Sequence, residues 1–125
     1  MTLTNNEIYG YASALLTEFG PDCEIKFPIK INFFLQKNIK LMSDLAQDID
    51  NSRLEIAKQY GTLNEDGMAY SIPDEHLEAA ARELNDLFSL TQDVAVRKFN
   101  IDDFNDIELT AKQMNALMFM INDEE

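Results

Sequence analysis

From Phe34 to Tyr60 the chain keeps one face apolar for longer than anywhere else. Leu35, Met42, Ile49 and Ile56 recur every seven residues, with Ile39, Leu45 and Ala46 beside the same stripe. The opposite side carries Lys37, Lys40, Asp44, Gln47, Asp48 and Lys58. Gly61 follows Tyr60, where a helix favours a left-handed residue at its C-terminal end. The pattern predicts an amphipathic helix of roughly 40 Å at about 1.5 Å per residue, along which the rest of a short chain must pack.

Shorter patterns flank it. Thr4 with Glu7 forms a capping-box pair ahead of Ile8, Tyr11, Ala12, Leu15, Leu16 and Phe19, which predicts a helix over Asn5 to Phe19 ended by Gly20 and Pro21. From Ile25 the period changes to two, with Ile25, Phe27, Ile29, Ile31 and Phe33 alternating with Lys26, Pro28, Lys30, Asn32 and Phe34. Two readings compete for this segment. One is a strand with Pro28 at an edge or bulge, and the other starts the long helix at Pro28. The strand is preferred, because Lys26 and Lys30 would face the positive end of the helix dipole and the segment is rich in β-branched and aromatic residues.

Beyond the long helix, Asn64, Glu65, Asp66 and Gly67 signal a turn, and Met68, Tyr70 and Ile72 alternate as a short strand before Pro73. Asp74 is placed to cap a helix running to Leu90, with Glu75 and Glu78 in its first turn and an apolar face of Leu77, Ala80, Ala81, Leu84, Leu87 and Phe88. The β-branched run from Asp93 to Ile101 is expected to be a strand, and Asp102 to Glu108 an acidic loop. Thr110 with Gln113 heads a last apolar helix through Met114, Leu117, Met118 and Ile121. Residues 122–125 form an acidic tail expected to fray. Together these elements predict one α+β domain over residues 1–125. Its expected form is a small three-stranded antiparallel sheet packed against one long central helix and two or three shorter helices.

Charge changes this picture more than length does. The 125 residues carry 23 acids and 10 bases, a net charge of -13. Residues 1–62 hold eight acids against six bases, whereas 63–125 hold fifteen against four, so the acidity belongs to the second half. Such a surface disfavours direct nucleic-acid binding by the electrostatics that drive it in basic proteins. No acid occurs between Ile25 and Ser43, so Lys26, Lys30, Lys37 and Lys40 form the only basic patch in the linear sequence. The single cysteine, Cys23, allows no internal disulfide, and no apolar run is long enough to cross a bilayer. The N-terminus lacks the basic and apolar regions of a signal peptide. A soluble cytoplasmic protein without membrane association is expected.

No standard catalytic constellation is present. His76 is the only histidine and lies in a first helical turn beside Glu75 and Glu78, which suits a solvated side chain. Cys23, between a Gly-Pro-Asp turn and Glu24, is read as an inert thiol rather than a nucleophile. Asp48, Asp50 and Ser52 begin a calcium-loop spacing, but Arg53 stands where that loop needs glycine and Gln59 where it needs glutamate. Asp102, Asp103, Asp106 and Glu108 match no defined cation loop. There is no phosphate-cradling glycine motif and no nucleophile elbow. A non-enzymatic protein without cofactor or metal is therefore expected. Met114, Met118 and Met120 suit either an adaptable contact surface or a core.

The stretches Phe27 to Ile31, Gln36 to Lys40, Asn64 to Gly67 and Tyr70 to Asp74, followed by Glu83, Leu84 and Leu87 and a Thr-headed apolar helix from Leu109, resemble a family of small uncharacterised phage and prophage proteins. The resemblance spans residues 25–121 and departs at Arg97 and Lys98, where an acidic and aliphatic alternation is expected. It implies a phage or prophage origin, with action in the bacterial host cytoplasm or in a virion, and it assigns no activity. The function expected is protein-protein interaction, as an accessory or assembly factor binding another phage or host protein through the long or the C-terminal helix. Lys30, Lys37, Lys40, Asp102, Asp103, Asp106, Glu108, Met114 and Met118 are the candidate contact residues. The alternative is an acidic inhibitor of a host nucleic-acid enzyme or defence system, its carboxylates imitating phosphates. A homodimer along the seven-residue stripe is a further possibility.

Overall fold

Helix formation begins at Thr4, whose hydroxyl accepts the Glu7 N–H at 3.0 Å while the Glu7 carboxylate accepts the Thr4 N–H at 2.9 Å. This reciprocal cap opens α1, Asn5–Phe19, with the boundaries its periodicity predicts. Ile8, Ala12, Leu15 and Phe19 form its buried stripe. The structure is a computed structural model describing residues 1–122.

The long helix α2 spans Ile29–Tyr60, 32 residues and about 48 Å. The strand expected over residues 25–34 is therefore corrected. Its alternation is present as far as Phe27, with Cys23, Ile25 and Phe27 half-buried between exposed Glu24 and Lys26, but this extended segment has no partner strand among the described residues. After Pro28 the apolar stripe resumes at helical spacing, with Ile31 against the core and Leu35, Ile39 and Met42 buried. Burying such side chains stabilises by about 1.5–3 kcal/mol each, which outweighs the roughly 0.3–1 kcal/mol cost of Lys30 near the positive end of the dipole.

At the far end of α2, Gly61 adopts an extended conformation rather than the left-handed one expected. Glycine is needed there for space, because a Cβ would lie 2.8 Å from the Ala57 carbonyl oxygen and 3.0 Å from that of Ser71. The chain turns directly into a small antiparallel hairpin of β2, Thr62–Leu63, and β3, Tyr70–Ser71. Its turn closes through the Gly67 N–H donating to the Asn64 carbonyl at 2.9 Å, with Gly67 at φ 71°, and through Ser71 Oγ bonded to Asn64 Oδ1.

Helix α3, Asp74–Ser89, follows. Pro73 takes the capping position without a side-chain hydrogen bond, so Asp74 lies inside the first turn with Glu75 and acts through the dipole rather than as the expected cap. A three-residue strand β4, Thr91–Asp93, then pairs antiparallel with β1, Thr2–Thr4, in the register Thr2 to Asp93 and Thr4 to Thr91. The fold is thus α+β, and the described residues form two separate two-stranded ribbons in place of the expected three-stranded sheet.

The strand expected over 93–101 is likewise absent beyond Asp93. Its backbone is held by a side chain instead: Asn38 on α2 donates from Nδ2 to the Arg97 carbonyl at 2.9 Å and accepts the Arg97 N–H at 3.0 Å. Val94 and Phe99 are buried on either side of this clip, and Phe99 forms an isolated parallel bridge with Ile121. The expected acidic loop opens with a one-turn 3-10 helix, Ile101–Phe104, where the Asp103 carboxylate accepts the Asn100 N–H. Helix α4, Ala111–Leu117, starts at the predicted Thr110 and Gln113 cap and passes into a second 3-10 turn, Met118–Met120. Helix α1 packs on α2, α3 and α4, and their common core gathers Ile8, Leu15, Leu35, Met42, Leu117 and Met120, all fully buried. Of the tail expected to fray, Asn122 donates its N–H to the Phe99 carbonyl at 2.7 Å, and residues 123–125 lie outside the described residues.

Candidate interaction surfaces

The N-terminal part of α2 carries a basic and aromatic face. Lys30, Phe33 and Lys37 lie on one side of the helix, and the Asn38 clip brings Arg97 and Lys98 beside them. The Lys37 ammonium sits 4.9 Å from the centre of the Phe33 ring, and the Arg97 guanidinium 4.3 Å from that of Phe34. The two rings meet edge to face at 5.2 Å. Lys30, Lys37, Arg97 and Lys98 make no ion pair among the described residues, whereas Lys40 is paired with Asp44 at 3.0 Å. With Lys26, six of the ten basic residues belong to this end of the molecule. Ile29, 88% exposed, and Phe33, 54% exposed, project from the same face one helical turn apart.

Asp103 accepts the Asn100 N–H at 3.1 Å and lines a recess of about 210 Å³ together with Lys30, Arg97 and Lys98. Asp102, Asp106 and Glu108 are exposed. Among the described residues, no group of three or more His, Cys, Asp or Glu is arranged to hold a metal ion. Of the methionines, Met118 is exposed and Met114 half-buried, while Met120 is fully buried beside the Asn38 amide at 3.5 Å.

Sequence reasoning did not identify the other end of α2 as a site. There Arg53, Leu54 and Ala57 on the helix and Leu63, Gly67, Met68, Ala69 and Tyr70 on the hairpin line an open groove of about 570 Å³. Leu54, Leu63 and Met68 are exposed, Met68 at 85%. Arg53, the one charged residue of this lining, is paired with Asp50 at 3.2 Å, and Glu65 and Asp66 precede Gly67 in the hairpin turn. The available signal was Met68, which alternation assigned to a strand. Only the placement of β2 across from α2 turns its exposure into part of a surface.

Cys23 lines a separate cleft of about 450 Å³ between the end of α1 and the start of α2, with Asn32 and Gln36. His76 lies 6.0 Å from the Tyr60 ring at the opposite end of α2, so the chain's one thiol and one imidazole are held apart. Two phenols carry raised pKa values. Tyr9 is bonded to the Asp50 carboxylate at 3.0 Å, and Tyr60 faces Glu83; in both, the neighbouring carboxylate disfavours ionisation.

Among the described residues, no helix is long and apolar enough to cross a membrane. Comparison with family models, curated proteins and solved structures found no match.

Proposed function

We propose that this chain is a non-enzymatic interaction protein of phage or prophage origin, an accessory or assembly factor acting in the host cytoplasm or on the virion. Its principal contact is the groove between α2 and the hairpin. The observation that carries this reading is an open groove of about 570 Å³ whose lining gathers the exposed side chains of Leu54, Leu63 and Met68. Exposed apolar residues gathered around a concavity and rimmed by polar groups mark protein contact surfaces. Methionine adapts its shape to the incoming side chain. The fitting partner segment presents apolar side chains to this lining.

The phosphate-imitating alternative draws less support. Asp103 is committed to its cap, and Lys30, Arg97 and Lys98 stand beside it. A photo-crosslinking residue at Leu63, in cells making the phage proteins, tests the main reading. It should capture one protein stoichiometrically, and capture should fall at least about tenfold in a Met68→Glu background. Capture unaffected by that substitution would count against the groove as the contact.

A further inference from the structure

The recess at the start of α2 lies at the other end of the helix from the groove, and the reading of the groove makes no use of it. Its lining of about 210 Å³ holds Lys30, Arg97 and Lys98 against the single carboxylate of Asp103, a net charge of +2. Asp103 is occupied in accepting the Asn100 N–H at 3.1 Å, and none of the three cations makes an ion pair among the described residues. Arg97 is held in place before any ligand arrives. Asn38 grips its N–H and its carbonyl, and its guanidinium lies over the Phe34 ring at 4.3 Å from the centre. The planar fork of N–H donors that it presents matches the oxygens of a phosphate group. Phe34 and Arg97 also wall an adjoining recess of about 420 Å³, which Leu41 and Ala95 help to line. We propose that the two joined recesses bind a small phosphate monoester with an apolar or aromatic body. Its phosphoryl group lies among Lys30, Arg97 and Lys98, and its body rests against Phe34, Leu41 and Ala95.

Charge decides which anion fits. A phosphate monoester carries about -1.5 to -2 at neutral pH and so neutralises the lining, whereas a carboxylate or a phosphodiester brings one negative charge and leaves the lining positive. A nucleic-acid strand offers diesters along its backbone and meets the chain's net charge of -13 over longer range. A small monoester meets mainly the local cations, because charges beyond about 10 Å are screened by salt. Free inorganic phosphate matches the local charge but leaves the Leu41 and Ala95 side of the site unfilled. The organic ester is therefore the better occupant.

Titration of the isotope-labelled full chain with phenyl phosphate at neutral pH and low salt, followed by backbone amide shifts, tests this. The amides of Lys30, Ile31 and residues 97–100 should shift along one saturating curve. Methyl phenyl phosphate has the same body with one charge, and inorganic phosphate has the same charge with no body. Each should need at least about tenfold higher concentration to saturate. Lys30, Arg97, Lys98 and Asp103 are all exposed, so variants at these positions should keep the wild-type circular dichroism and melting point. Lys30→Met combined with Lys98→Met should weaken binding about tenfold or more, and Arg97→Lys, which keeps the charge and loses the fork, about fivefold. Asp103→Asn acts in the opposite direction. It keeps an oxygen to accept the Asn100 N–H and removes the one negative charge of the lining, so it should tighten binding about threefold or more. The absence of a saturating shift at these amides, a shift centred on the groove around Met68, or an Asp103→Asn variant that binds no more tightly would overturn the proposal. So would a diester, an oligonucleotide without a terminal phosphate, or inorganic phosphate that binds as tightly as phenyl phosphate.

Discussion

The two ends of α2 use the same amphipathic pattern for different purposes. Between Leu35 and Ile49 its stripe is closed off by the rest of the core: Leu35 and Met42 are fully buried, Ile39 and Ile49 nearly so, and Asn38 ties Arg97 to the helix. Beyond Asp50 the stripe continues to Ile56, which is only half-buried, and Leu54, off the stripe, is 44% exposed where α3 and a hairpin of two-residue strands accompany the helix. Amphipathic spacing states which face of a helix wants cover. Whether the cover comes from the same chain depends on how far its neighbours reach.

Substitutions at the two ends should therefore separate stability from association. The largest effect belongs to the buried half. Leu35→Ala or Met42→Ala should lose about 2–5 kcal/mol in denaturant unfolding, whereas Leu54→Ala should lose under about 1 kcal/mol. Similar losses at both ends would erase the distinction. Next in size is Asn38→Ala, which strands the Arg97 N–H and carbonyl and should cost about 1–3 kcal/mol. It should also loosen the basic face, so that Arg97 leaves Phe34. Unchanged amide exchange at Arg97 in this variant would show that the clip does not hold the segment.

A smaller effect tests the boundary between the halves. Tyr9 on α1 donates to Asp50 on α2, which also accepts from Arg53 Nε at 3.3 Å. Its folded pKa lies above the ordinary value of 10.0 because the Asp50 carboxylate accepts the phenolic hydrogen bond. The stability from this bond is accordingly present below pH 10 and is lost as pH rises through the raised folded value. Tyr9→Phe should cost about 1 kcal/mol at neutral pH and remove one late-ionising phenol from an alkaline absorbance titration. A titration identical to the wild type would place the hydrogen bond elsewhere.

What could be read in the sequence was what local chemistry decides. The caps at Thr4 and Thr110 and the buried stripe of α1 need only residues a few positions apart, and both helices begin where those residues say. Residues 23–27 alternate as a strand would, but a strand also needs a partner backbone, and alternation carries no information about one. The β1 and β4 pairing escaped notice for the same reason: three residues meet three others about ninety positions away. Part of the candidate surface was legible, since Lys30 and Lys37 stand out in a stretch free of acids. Arg97 and Lys98 join them only through the Asn38 amide, 59 positions distant, which has no signature in either segment. Met68 gave a strand signal and became a groove wall because Gly61 lets the hairpin turn back against α2.

Native-state hydrogen exchange along α2 addresses the division of the helix most directly. Amides from Leu35 to Ile49 should exchange only through global unfolding. Amides from Leu54 to Tyr60, with those of the hairpin, should exchange through low-energy local opening. Uniform protection along the whole helix would contradict the account.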